Sequence, residues 1–243
     1  PEAPKNPLDP GWWNGLPFRE VFDYSYDGVM RSFDDSQQRL GIDRIDILYV
    51  HDIGRVTHAD LHEHHWTALT RGGGFRALRE LKAAGDIKAF GLGVNEWEVI
   101  RDALEETDLD ISMLAGRYSL LDRDAGETFL PLAQARGVAL VLAGVYNSGI
   151  LAAPRSGRKK FDYADADPAV VARVEALRSV CDDYGVPLAA AAIRFPMRHP
   201  AATCVVIGAK TSGQLRQNVE WFDTDLPEAI WADLDRALEN AHA

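Results

Sequence analysis

The chain has 243 residues, is 47% hydrophobic and 26% charged, and carries a formal net charge of −11. The apolar fraction supports a substantial core, while the acidic balance argues against nucleic acid or an acidic membrane surface as a partner, since both need a concentrated basic footprint. Only two cysteines occur, which argues against a disulfide framework or a thiolate zinc site.

Neither an apolar run of roughly 18 residues nor a basic-then-apolar leader is found, so the expected location is cytoplasmic and the expected partner a small molecule. Prolines at 1, 4, 7, 10 and 17 make residues 1–26 an irregular N-terminal loop, in which Trp12 and Trp13 offer flat apolar faces to a sugar or pyridine ring. Val29, Phe33 and Leu40 give a helix that stops at Gly41. The run Ile45–Val50 then reads as a strand buried on both faces, and it delivers His51 and Asp52 at its C-terminal end. His58, His62, Glu63, His64 and His65 follow closely. They lack the H-E-x-x-H pattern of zinc hydrolases, so a polar surface helix is expected and no metal.

A helix over 74–84 leads to a strand at 87–93, and a helix lined by Trp97, Ile100 and Leu104 leads to a strand at 111–116. A further helix ends at Gly137 before the strand 138–144. Residues 152–167 read as a solvated loop carrying Arg155, Arg158, Lys159 and Lys160. Helical periodicity returns from Val170 to Tyr184 and over 188–196, ahead of a strand at 203–208. Two amphipathic helices close the chain, one striped by Leu215, Val219 and Phe222, the other by Ile230, Leu234 and Leu238.

Five repeats of helix then strand imply a parallel sheet in an α/β domain spanning 1–243. An open dinucleotide-binding sheet wants G-x-G-x-x-G after an early strand, and GLGVNEW at 91–97 places Trp97 where a small residue belongs. A TIM barrel is therefore favoured, yet five parallel strands of this length do not close one. The pattern is that of a barrel without its first three βα units.

The strings FDYSYDGVMRSFDDSQQRLGIDRIDILYVHD, GDIKAFGLGVNEWE, LAGRYSLLD, GVYNSGIL and VIGAKTSGQLRQNV occur in this order over some 200 residues. In them the chain resembles the aldo-keto reductase family, in particular the branch of aldose 1-dehydrogenases and pyridoxal 4-dehydrogenase. The resemblance implies a (β/α)8 barrel, a nicotinamide cofactor, and His51 as the catalytic histidine at the end of the fourth barrel strand. Family members also use a tyrosine as general acid or base, tuned by a lysine and an aspartate. These belong to the first three units, and no residue here matches them. Tyr24 and Tyr26 fall after the lysine-bearing strand, in a loop that leads into a helix. A phenol with an ordinary pKa near 10 needs a neighbouring cation to work near neutrality, so neither is assigned as the acid.

The resemblance also places the cofactor. Gly208 and Lys210 would lie along the ribose phosphate, with Gln214 and Asn218 on one helical face toward adenine. Many NADP-binding members carry an arginine where Gln214 stands, which favours NAD over NADP, with Lys210 or Arg216 as possible substitutes for that arginine. Gly144, Val145 and Tyr146 fall where relatives stack a tyrosine on the nicotinamide, and Gly149 permits close approach to the pyrophosphate. Asn95 offers donor and acceptor to the carboxamide, while AGRY replaces a glutamine on the next strand and leaves Arg117 and Tyr118 to line or brace the site. The expected activity is NAD(P)-dependent oxidation of an aldose hemiacetal to a lactone, or interconversion of a related aldehyde and alcohol. Two alternatives stay open: an inactive nucleotide-binding barrel serving as sensor or scaffold, and a lyase using Lys210 as a Schiff base. The substrate and the oligomeric state are not legible in the sequence.

Overall fold

The computed structural model describes residues 21–157, 159–162 and 164–241. Trp12, Trp13 and Arg158 lie outside them. The chain enters helix α1 (Tyr26–Leu40), whose first turn is capped by Ser25 as its hydroxyl accepts from the Gly28 amide. Strand β1 (Ile47–His51) follows, then α2 (Arg55–His58), a 3-10 turn (Ala59–Leu61), α3 (His62–Thr70) and α4 (Gly74–Ala84). Next come β2 (Ala89–Val94), α5 (Trp97–Glu106), β3 (Ile111–Ala115), α6 (Phe129–Ala135) and β4 (Ala139–Ala143). A short antiparallel hairpin, β5 (Lys160–Phe161) with β6 (Ala164–Asp165), precedes α7 (Pro168–Asp183), α8 (Leu188–Arg194) and a 3-10 turn (Phe195–Arg198). Strand β7 (Ala202–Val206), α9 (Ser212–Asp223) and α10 (Ala229–Asn240) complete the order.

The main sheet has five parallel strands in the order β1-β2-β3-β4-β7. Its outer face packs on the helices through Phe90, Leu92, Leu114, Leu140 and Leu142, all essentially without exposure. Val50, paired with Leu92, shares that face, whereas Tyr49 and His51 pair with Gly91 and Gly93 on the other. The sheet is curled. Burial, and then Cys204 on β7, raise the pKa of the Tyr49 phenol on β1. In a flat sheet four spacings of roughly 4.8 Å would hold those strands about 19 Å apart. This curvature is that of a barrel wall, although among the described residues the wall does not close and β1 and β7 are both edges.

Three features differ from the sequence expectation. The segment 152–167 is more than a loop, since it contains the β5–β6 hairpin with Lys160 paired to Asp165 at 2.8 Å. The histidine-rich stretch is not a polar surface helix, because His58, His62 and His65 are buried. Finally, the apolar stripe of α9 faces outward, with Leu215 and Val219 each 53% exposed and Asn218 the buried residue of that helix. Arg194 lies over the Phe222 ring at 5.5 Å, while Leu215 and Val219 stay open.

Candidate active site

In parallel α/β folds the functional groups gather at the C-terminal ends of the strands, where the chain leaves the sheet and side chains are released from packing. His51 is the last residue of β1. Its Nδ1 lies 3.3 Å from the Gly93 carbonyl oxygen on β2. The ring thus has an acceptor beside each nitrogen, the Gly93 carbonyl at Nδ1 and the Asp52 carboxylate at Nε2. The side chain is 81% exposed, and Nε2 lies 3.6 Å from the Asp52 carboxylate. The chain then turns sharply: Asp52 adopts a positive φ of 45° and its amide donates to the Gly93 carbonyl at 2.9 Å. Beyond it, His62 Nδ1 lies 3.1 Å from the Ile53 carbonyl, and the Glu96 carboxylate accepts from the Val56 amide at 2.7 Å. The turn that carries the imidazole is thus tied to α3 and to the end of β2.

Asn95 follows β2 directly, and its carbonyl accepts from Arg117 Nε at 3.0 Å. Arg117, just past β3, also donates to Asp122 and to Asp162 at 3.0 Å each. Burial opposes its charge, but Asp162 and Asp122 outweigh that and hold its pKa above the ordinary value. With its guanidinium committed to three acceptors, Arg117 braces the rim and ties the β5–β6 hairpin to the strand ends. Tyr118 is buried, its ring tilted against Phe195 at 5.3 Å.

After β4 the backbone winds through positive φ at Gly144, Asn147, Ser148 and Gly149. Val145, expected at the cofactor, is buried in the core and offers no surface to a ligand, and Tyr146 is half-buried with its hydroxyl donating to Asn218 Oδ1 at 3.1 Å. Burial raises the Tyr146 pKa. Asn147 is also buried; its Oδ1 accepts from the Ser119 hydroxyl at 2.5 Å while its Nδ2 has no hydrogen-bond partner. An orphaned amide in such a turn is costly unless a ligand or water meets it. Past β7, Gly208 and Lys210 are exposed. The Lys210 amide donates to Gln214 Oε1 at 2.7 Å, and Thr211 caps α9 by accepting from the Gln214 amide at 3.2 Å.

His51, Asn95, Gly144, Tyr146, Gly149, Gly208 and Lys210 therefore all follow, or end, strands at one rim of the sheet. The donors there fit a dinucleotide: a helix start at α9, the backbone of a left-handed turn after β4, and an asparagine at a strand end. Gln214 and Asn218 do not present a shared free face, because the first closes its own loop and the second is buried under Tyr146. Sequence reasoning passed over Asn147 and Glu96. The N-S-G turn was a signal for the first, since asparagine and glycine mark left-handed backbone. Among the described residues no group of three or more histidine, cysteine, aspartate or glutamate side chains is arranged to hold a metal ion.

Beneath the His51 turn, the His58 and His65 rings lie 4.2 Å apart and both contact Phe22 and Tyr24. Burial and then His62 lower the His58 pKa, with Asp52 acting the other way; burial and then His58 lower that of His65. Depressed imidazole pKa values mean that, below the ordinary value of about 6.5, the unfolded chain takes up protons which the native rings refuse. Stability is then lost as pH falls. Thermal unfolding should show a midpoint that drops between about pH 7 and about pH 5.5, ahead of carboxylate protonation; a flat or rising midpoint would contradict the buried neutral cluster.

Comparison with known proteins agrees with this arrangement. Residues 18–239 match the model of the aldo/keto reductase family. Pyridoxal 4-dehydrogenase from Microbacterium luteolum is 69% identical over 96% of this chain and 68% of its own length. D-threo-aldose 1-dehydrogenase from a Pseudomonas species is 36% identical over 90% of this chain and 64% of its own. The chain thus spans about two thirds of the length of both relatives. Among solved structures, the holo form of an aldo-keto reductase from Bacillus halodurans superposes with a TM-score of 0.68, at 24% identity, over 88% of this chain and 68% of that one, a likeness of fold. The curled parallel sheet, the rim of polar strand ends and the matched sequence agree: the chain belongs to the aldo/keto reductase family.

Proposed function

We propose that this chain serves an NAD(P)-dependent dehydrogenase that oxidises a cyclic hemiacetal to a lactone, with pyridoxal or an aldose as the substrate class. Both relatives named above act on aldehydes that carry hydroxyl groups able to close on the carbonyl, so one chemistry covers both. Oxidation removes a hydride from the hemiacetal carbon and a proton from its hydroxyl, the proton passing to solvent water, and leaves the lactone carbonyl. A bound oxidised nicotinamide supplies the hydride acceptor. The observation that carries the reading is the His51 imidazole at the rim, with Nδ1 beside the Gly93 carbonyl and an exposed Nε2 edge near the Asp52 carboxylate. The imidazole hydrogen-bonds the substrate oxygen through Nε2 and so fixes the C–H bond for transfer.

Asn95 would meet the carboxamide, Gly144, Tyr146 and Gly149 the nicotinamide and pyrophosphate end, and Gly208 and Lys210 the adenosine phosphate. NAD is the favoured cofactor. Gln214 stands where many NADP-binding relatives carry an arginine and gives its side chain to the Lys210 amide, while Arg216, held only by Ser212 at 3.4 Å, is the cation left to meet a 2′-phosphate. The free thiols of Cys181 and Cys204 support a cytoplasmic address, and no helix among the described residues is long and apolar enough to cross a membrane.

The test is incubation of the intact protein with NAD or NADP and either pyridoxal or a D-threo-aldose, followed by reduced-nicotinamide absorbance and mass analysis of the product. Lactone formation with NAD is expected. Binding of the nucleotide without turnover would point to a sensor, and no binding at all would remove the reading.

A further inference from the structure

Tyr24 has no part in the assignments above, yet its hydroxyl reaches the residue on which they turn. It lies ahead of α1, with its ring 8% exposed. The phenol oxygen is 2.9 Å from the His51 carbonyl oxygen and 2.8 Å from His58 Nε2. A phenol has one proton and the His51 carbonyl can only accept, so both contacts are hydrogen bonds when Tyr24 donates to that carbonyl and His58 donates to the phenol oxygen through Nε2–H. Burial, and then Asp52, raise the Tyr24 pKa, so the hydroxyl stays protonated and available as that donor.

The bond falls on the peptide where β1 ends. The Asp52 N–H is taken by the Gly93 carbonyl at 2.9 Å, and Asp52 stands at a φ of 45°, a conformation that a non-glycine residue keeps only under constraint. Tyr24 holds the carbonyl side of the same peptide. The peptide plane after the imidazole is therefore gripped from both sides, by β2 through its N–H and by Tyr24 through its C=O. Behind Tyr24, Phe22 meets His58 edge-on at 4.7 Å and His65 lies 5.3 Å from the Tyr24 ring, so the phenol has little room to swing away.

We propose that Tyr24, oriented by His58, is a positioning residue for His51: it sets the strand-end peptide and so the direction of the imidazole at the rim. This rests on the catalytic reading of His51 given above. The position is 27 residues from its target and touches no assigned cofactor or substrate group.

The experiment is a double-mutant cycle on the intact enzyme with Tyr24→Phe, His51→Gln and the pair, in which kcat, KM and cofactor affinity are measured together. Phenylalanine keeps the ring and its packing, so the fold is retained, and circular dichroism checks this. Tyr24→Phe is expected to lower kcat about tenfold with cofactor affinity unchanged within twofold, and to have no further effect in the His51→Gln background. A Tyr24→Phe enzyme with the kcat of the parent, or losses that multiply in the double variant, would overturn the proposal. If His51→Gln itself turns over like the parent, the catalytic reading falls and takes this inference with it, an outcome distinct from failure of Tyr24 alone. His58→Phe supplies a second approach: it removes the donor to the phenol oxygen and should reproduce part of the kcat loss, whereas a kcat equal to the parent's would count against the orienting role of His58.

Discussion

Replacing His51 with glutamine should lower kcat for hemiacetal oxidation by roughly 10²- to 10³-fold while leaving nicotinamide affinity within about twofold. The asymmetry follows from geometry. Nδ1 lies beside the Gly93 carbonyl and Nε2 is at the open rim, so the proposed role sets the imidazole against the reacting oxygen, whereas the proposed cofactor groups come from the ends of β2, β4 and β7. Loss of one oriented hydrogen bond at a reacting oxygen has this magnitude because the bond strengthens as charge develops on that oxygen. Steady-state kinetics with fluorescence titration of the reduced cofactor checks both halves. Parallel losses in turnover and cofactor affinity would assign His51 to binding or to folding.

The largest effect on stability is expected at Gly91. A Cβ there would lie 1.5 Å from the Ile111 carbonyl oxygen and 3.0 Å from the Ser112 hydroxyl. The first obstacle is backbone, so relief requires β2 and β3 to part. They are already irregular at this point, pairing in register only at Gly93 with Met113 and Val94 with Leu114, while the Leu92 amide donates to Ser112 Oγ at 3.3 Å. Gly91→Ala should cost about 3 kcal/mol or more, a loss of roughly 6–12 °C in the thermal midpoint of a chain this size. Gly137→Ala is the control: it sits at a φ of 70° with open space around its Cβ position, and should cost only about 1 kcal/mol of backbone strain. Equal losses at the two positions would contradict a close approach at Gly91. The consequence reaches the site, since Gly93, two residues on, holds both the His51 ring and the Asp52 amide.

The strands were legible because Ile, Leu and Val runs such as 45–50 and 138–143 suit a sheet packed against helices, and each helix before them carried a 3.6-residue stripe. However, β1, expected to be buried on both faces, is an edge strand with Ile47 40% exposed. The rim followed, since polar residues at strand ends are conspicuous after an apolar run. Other features carry weaker signals. The two-residue strands of the β5–β6 hairpin are too short to show a period inside a cationic loop. His58, His62 and His65 were read as polar by type, but His58 ends α2 while His62 and His65 lie on α3, and the turn at Ala59 between the two helices brings all three under the His51 turn. Leu215, Val219 and Phe222 were legible as a stripe, but periodicity does not say which way a stripe faces, and here it faces out. The bond from Tyr24 to His51 left no trace in the sequence, because tertiary hydrogen bonds to a backbone carbonyl impose no residue type on the partner.

A crystal structure of the intact protein with reduced NAD bound tests the central claim most directly. The nicotinamide ring is expected at the ends of β1 and β2, within hydrogen-bonding reach of a substrate oxygen held by His51 Nε2, with the adenosine end toward Gly208 and the start of α9. A nucleotide seated at the opposite ends of the strands, or one whose ring lies far from His51, would contradict it.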